Sequence, residues 1–194
     1  MISLVNKQIF PRITKQAAQT CHQRQFWWWV NMMFNRVDNE RIKALGYDRC
    51  TAEWLLRNGS CVKILNVKEP LCDYNLLPPE NAKFFVQEIL AENAGISHIG
   101  FPHIKGCMKL EKIVLNSCGY IEDEALQLLH LRKETLKHLE LINCKNLTEV
   151  GLRSLKNLNL TTLVIKNVPY VKDIATIENE LKESLKNCKI QIEK

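Results

Sequence analysis

Apolar residues recur through the second half of the chain in one register, L-x-x-L-x-L-x-x-(C/N)-x-x-L. It fits Leu110, Ile113, Leu115, Cys118 and Ile121, then Leu136, Leu139, Leu141, Cys144 and Leu147, then Leu160, Leu163, Ile165, Val168 and Val171. The offsets are 26 residues from Leu115 to Leu141 and 24 from Leu141 to Ile165. Weaker copies flank these at Val86, Ile89, Ala91, Ala94 and Ile96, and at Leu185, Cys188, Ile190 and Ile192. An array of this kind needs at least about three units to bury a continuous core, and the chain offers more than that.

The second rung shows what each unit does. Leu139 and Leu141 alternate with His138 and Glu140, the period of a short strand with one face buried. Cys144 and Leu147 then turn inward, and Thr148 is placed to cap a helix whose apolar positions are Val150, Leu155 and Leu158. Strand, turn and helix per repeat predict an α/β leucine-rich-repeat solenoid, with parallel strands and helices on the convex side, over residues 81–194. Cys118 and Cys144 occupy the turn position, where a free cysteine packs as a small apolar group. The last helix, from about Lys172 to Asn187, presents Ile174, Ile177, Leu181 and Leu185 on one face and is expected to cap the open end.

Residues 26–80 are of another kind. Phe26-Trp27-Trp28-Trp29-Val30 runs into Asn31-Met32-Met33-Phe34, an apolar stretch far shorter than the roughly 20 residues that cross a bilayer. Tryptophan favours settings apolar at one end and wet at the other, so Phe26, Trp27, Trp28, Trp29 and Phe34 are candidates for contact with a membrane interface or a partner's groove. Burial of the same residues against the first repeat is the competing structural reading. Asp38 to Leu45 and Thr51 to Arg57 read as short helices stopped by Gly46 and Gly59. Cys61 to Leu65 reads as a strand, and Asp73 to Pro79 as a rigid connector. The segment predicts a small α-rich domain capping the exposed edge of the repeats.

Charge changes the picture at the N-terminus. The formal charge is +6, but Lys7, Arg12, Lys15 and Arg24 lie in the first 25 residues, where no acid occurs; removing these four leaves +2. The first acidic residue is Asp38. Residues 1–25 therefore have the composition of a mitochondrial transit peptide with cleavage near Gln25, and the basic balance is an address signal and no argument for nucleic acid. A mitochondrial matrix destination in turn predicts thiols in place of a disulfide framework for the eight irregularly spaced cysteines. There is no glycine-rich phosphate loop, no nucleophile–base constellation, no C-x-x-C pair and no paired-carboxylate motif, so neither a catalytic site nor a small-molecule substrate is predicted. The scattered histidines, with His98 and His103 the nearest to a pair, read as structural or surface residues.

The run from Phe26 to about Lys194 resembles the mitochondrial coupling factor B family, also called ATP synthase subunit s. The matching words are FWWWVNMMFNRVDNERI, GYDRCTAEWLLRNG, DYNLLP, ISHIGFPHIKG, LEKIVLNSCGYIEDEAL and INCKNLTEVGL, in that order. The resemblance implies a non-catalytic accessory factor on the matrix side of the mitochondrial inner membrane. Such a factor is bound near the membrane sector of ATP synthase and sustains coupled proton conduction by blocking a proton leak. It also implies a Mg2+ ion held through the positions of Gly59 and Glu92, the second of which is threonine in the family. The family's Cys-x-Cys pair falls on Asn116 and Cys118, so only one of its two thiols is present. Two other roles are weighed against this one. An assembly factor for the membrane arm of respiratory complex I belongs to a paralogous family with the same plan. A leucine-rich-repeat adaptor for ubiquitination needs cytosolic residence and a recruitment motif, and the N-terminal segment does not resemble an F-box.

Overall fold

The computed structural model describes residues 26–193; the transit-peptide reading of residues 1–25, and Cys21 with it, lies outside them. The chain divides into two compact units with the boundary between Met33 and Phe34.

Residues 26–35 are helical (α1). Asp38 then caps α2, Asn39–Leu45, by accepting from the Arg41 N–H, and Gly46 ends it at φ +84°. Gly46 also opens α3, Tyr47–Arg57, which starts four residues before the predicted Thr51. A glycine that can take a positive φ serves both roles, and its stop signal hides the start that follows. Gly59, at φ +79°, follows α3 and leads into β1, Cys61–Ile64.

Six strands form one sheet in sequence order. β1 pairs antiparallel with β2, Val86–Glu92. The others, β3 (Lys112–Asn116), β4 (His138–Ile142), β5 (Thr162–Lys166) and β6 (Lys189–Glu193), continue from β2 in parallel. The ladder read from the sequence is the pairing register itself. Ile89, Ile113, Leu139, Leu163 and Ile190 stand side by side, as do Ala91, Leu115, Leu141, Ile165 and Ile192. Cys118 and Cys144 are fully buried in the turns, where burial pushes both thiols up in pKa, Cys144 to about 12.

After each of four parallel strands one residue takes a left-handed conformation: Asn93, Ser117, Asn143 and Asn167, at φ between 50° and 55°. Asparagine tolerates that region better than most residues. The backbone N–H of each donates to a carbonyl at the end of the next strand, at 2.9 to 3.1 Å. The Asn167 side chain donates to Asn143 at 2.7 Å and Asn143 to Asn116 at 3.4 Å, so a polar ladder runs along the sheet end.

Short helices return the chain between strands: α4 (Asp123–Gln127), α5 (Glu149–Ser154) and α6 (Ile174–Ser184). Thr148 caps α5 as expected, accepting from the Val150 N–H. Its own N–H and hydroxyl donate to Asp123 of the preceding repeat, at 2.8 and 2.5 Å. Val150 does not face the core: it is 58% exposed, and Gly151, Leu152 and Leu155 take the inner positions. The cap fixes the helical phase, which turns the second helical residue outward whatever its polarity. α6 buries Ile177 and Leu181, and β6 follows it as the edge strand.

The expectation of thiols throughout is corrected by Cys61 and Cys72, which form a disulfide. Val62 and Leu71 exchange both backbone hydrogen bonds, at 2.9 and 2.8 Å, which sets Cys61 and Cys72 opposite each other on adjoining backbones. This return pairing is a single bridge and carries no strand signal in sequence.

Asn35 is the polar pin of the N-terminal end. Its buried carbonyl oxygen accepts from Trp54 Nε1 and from the Ser97 N–H, both at 2.9 Å, and its amide donates to the Gly95 carbonyl at 2.9 Å. Trp54 also stacks on His103, with ring centroids 5.2 Å apart, and has an edge contact with Phe101. Burial holds the His103 imidazole below its ordinary pKa despite its bond to the Gly100 carbonyl. Asn35→Ala leaves two buried donors without that acceptor. It is expected to cost about 3 kcal/mol, at 1–3 kcal/mol per orphaned group, read as a lowered urea midpoint with unchanged slope.

Candidate functional site

A cleft of about 570 Å³ opens where β1, β2 and β3 meet, bordered by Gly59, Cys61, Pro70, Glu92, Asn93 and Asn116 among others. Gly59 arrives through the stop of α3, and Glu92 is the last residue of β2, with an exposed side chain. Glu92 Oε1 accepts a long bond of 3.5 Å from Asn116 Nδ2. The fold therefore brings Gly59 and Glu92 to one cleft from positions 33 residues apart in sequence. Among its bordering residues are a carboxylate, Glu92, and the amide side chain of Asn93, whose oxygens are of the hard kind that magnesium takes together with retained water. Asn93 carries a signal legible in sequence, the asparagine after the strand that recurs at Asn143 and Asn167, whereas Asn116, the last residue of β3, reaches the cleft through the pairing of β3 with β2.

Phe26, Trp27, Trp28 and Trp29 are exposed along the helical segment, from 52% to 61%, and Phe34 is 53% exposed. Among the described residues no helix is long and apolar enough to cross a membrane. Cys118 donates weakly to the Ala91 carbonyl at 3.5 Å, and Asn116 stands at the rim of the cleft.

A second polar centre was not anticipated. Glu53, on α3, is almost fully buried and receives three arginines: Arg41 at 2.6 Å, Arg49 at 2.9 Å and Arg57 at 3.2 Å. Burial opposes its ionisation, but the bonds from Arg41 and Arg49 outweigh that and hold the carboxyl below its usual range. Arg49 also donates to the Pro78 carbonyl, and Arg41 to Glu80 at 2.9 Å, tying α2, α3 and the connector together. Sequence alone shows two of the arginines, since Arg49, Glu53 and Arg57 are spaced four apart on one helix. Elsewhere, His98, Glu122 and Glu124 bring possible ligand atoms within 4.8 Å of one another, with both carboxylates exposed.

No protein-family model matches the chain. Curated relatives do. The chain is 37% identical over 198 residues to the protein named ATP synthase subunit s, mitochondrial, of Rattus norvegicus, covering 99% of this chain and 98% of the relative. The human protein of that name is 37% identical over 185 residues, 92% of each chain, and the Bos taurus one 39% over 176 residues, 88% of each. The chain belongs to the mitochondrial ATP synthase subunit s family. Matches of this length span both the aromatic segment and the whole sheet, so the family resemblance drawn from the sequence words holds for the entire fold described above.

Proposed function

We propose that this chain is a non-catalytic accessory factor of mitochondrial ATP synthase, bound on the matrix side of the inner membrane near the membrane sector. In this reading it sustains coupled proton conduction by blocking a proton leak. The observation that carries it is the match, at 37% identity over nearly the full length, to relatives named as mitochondrial ATP synthase subunit s. The sheet is read as a leucine-rich-repeat solenoid, supported by the in-register apolar rows and the sequential strand order. Phe26, Trp27, Trp28, Trp29 and Phe34 are the contact residues, supported by their exposure and by tryptophan's preference for interfaces. The test is reconstitution. Inner-membrane vesicles depleted of the protein are expected to lose ATP-driven proton uptake and regain it on adding the full chain. Recovery equal to that from an unrelated protein would overturn the coupling role.

In the same reading Mg2+ occupies the cleft, with Glu92 supplying a carboxylate oxygen and Gly59 its backbone carbonyl. The ion would link the end of α3 to the end of β2. Calorimetric titration with Mg2+ is expected to show binding by the full chain that Glu92→Gln weakens roughly tenfold or more, because site affinity follows ligand charge. Equal titration curves for the two proteins would remove Glu92 from the site.

A further inference from the structure

We propose that the Cys61–Cys72 disulfide is a thiol–disulfide exchange site, opened by a small or protein dithiol, and that its opening releases the strap of residues 65–72 from the rim of the Gly59–Glu92 cleft. The starting point is placement. Cys61 lies on β1 and lines the cleft, while Cys72 is exposed at the far end of the strap. Between them the chain leaves the sheet, with Asn66 to Pro70 all exposed, and Pro70 forms part of the cleft wall. At its Cys72 end the strap is tied to β1 by the two backbone hydrogen bonds that Val62 and Leu71 exchange, while at its start the Leu65 N–H donates to the Phe85 carbonyl and the Val67 N–H to the Ile64 carbonyl. At the Cys72 end the crosslink therefore adds to one backbone bridge and the packing of Leu71.

The remaining cysteines point the same way. Among the described residues, Cys50, Cys107, Cys118 and Cys144 are buried, and Cys188 is partly so. Burial pushes each of their thiols up, Cys50 to about 11, and exchange requires an accessible thiolate or an accessible disulfide sulfur. Cys72 supplies the accessible sulfur. An incoming thiolate attacks Cys72 Sγ, the Cys61–Cys72 bond breaks, and Cys61 Sγ leaves as a thiolate that takes up a proton. The second thiol of the reductant then attacks its own sulfur in the mixed disulfide and releases the Cys72 thiolate, which is protonated in turn. Two electrons and two protons pass from the dithiol to the cysteine pair, and the reductant leaves as a disulfide. The step reverses when the strap re-docks, because re-forming the Val62–Leu71 pairing brings the two Cα atoms back to the 4.2 Å of the closed form.

The inference stands apart from the proposed role and from any cation in the cleft, and so does its test. The purified full chain is equilibrated with mixtures of oxidised and reduced dithiothreitol, alkylated with N-ethylmaleimide, and mapped by peptide mass. Cys61 and Cys72 are expected to gain label together in one two-electron transition while Cys50, Cys107, Cys118 and Cys144 stay unlabelled. Hydrogen exchange over residues 65–72 is expected to rise at least about tenfold on reduction, with β3 and β4 unchanged. Cys72→Ser should show the fast exchange without reductant; if that variant does not fold, reduced wild-type protein supplies the same comparison. Labelling of both cysteines in the oxidised mixture, resistance of the bond to excess dithiol, unchanged strap exchange, or a rise spread over the whole sheet would each overturn the proposal.

Discussion

Replacing Phe26, Trp27, Trp28 and Trp29 together by serine is expected to release the protein from inner-membrane vesicles while leaving the fold intact. Each of the four side chains is more than half exposed, so little native packing is lost. If each loses about 1.5 kcal/mol of apolar burial at a membrane or partner surface, the sum of about 6 kcal/mol corresponds to an affinity loss on the order of ten-thousandfold. Flotation with vesicles measures the loss, and thermal unfolding measures the fold. The substitution separates the two readings of the segment. A capping role predicts a fall in melting temperature with membrane association kept; a contact role predicts the reverse. Phe34 is left unchanged because it adjoins the buried Asn35, and the variant is meant to leave that pin undisturbed.

Glu53→Ala is expected to be the most destabilising single exchange of a charged residue, at about 3 to 5 kcal/mol. It leaves three arginines converging on an empty place, with Arg49 only 11% exposed and unable to recover its hydration by a small movement. The pH dependence has a definite sign. A carboxyl held below its ordinary pKa contributes stability that is fully present above the unfolded value, near 4.3, and is lost as pH falls through its folded value. The gap between wild type and Glu53→Ala should thus be constant near neutrality and narrow below about pH 4. Urea unfolding at a series of pH values checks it; a gap independent of pH down to acid unfolding would mean that the carboxylate charge is not what holds the arginines.

What the chain reveals before folding, and what it conceals, follows from range. Leu139 and Leu141, and their counterparts in the other rungs, are legible because a buried face repeats at short period and the units repeat at longer period. Thr148 is legible as a cap because the cap acts on residues two or three positions away. Val150 misleads because its hydrophobicity carries no record of the phase that the cap imposes. Asn35 is invisible as a core residue: its partners, Trp54, Gly95 and Ser97, lie 19 to 62 residues away, and only tertiary structure makes a polar side chain pay its way in the interior. The same range hides Arg41 as a partner of Glu53, 12 residues off on another helix. It also hides the pairing of Cys61 with Cys72, which depends on one backbone bridge. Of the cleft, Gly59 and Glu92 entered through family resemblance alone, and the fold adds Asn93 and Asn116 at the same rim.

The central claim concerns a partner, and the most direct measurement is recovery of the assembly. The full chain carrying a C-terminal tag is expressed in its own cells, mitochondria are solubilised gently, and the tagged complex is resolved by native electrophoresis with mass spectrometry of the band. The account predicts recovery with subunits of ATP synthase, lost in the Phe26–Trp29 serine variant. Recovery with complex I assembly intermediates and no ATP synthase, or a tag found in the cytosol, would contradict it.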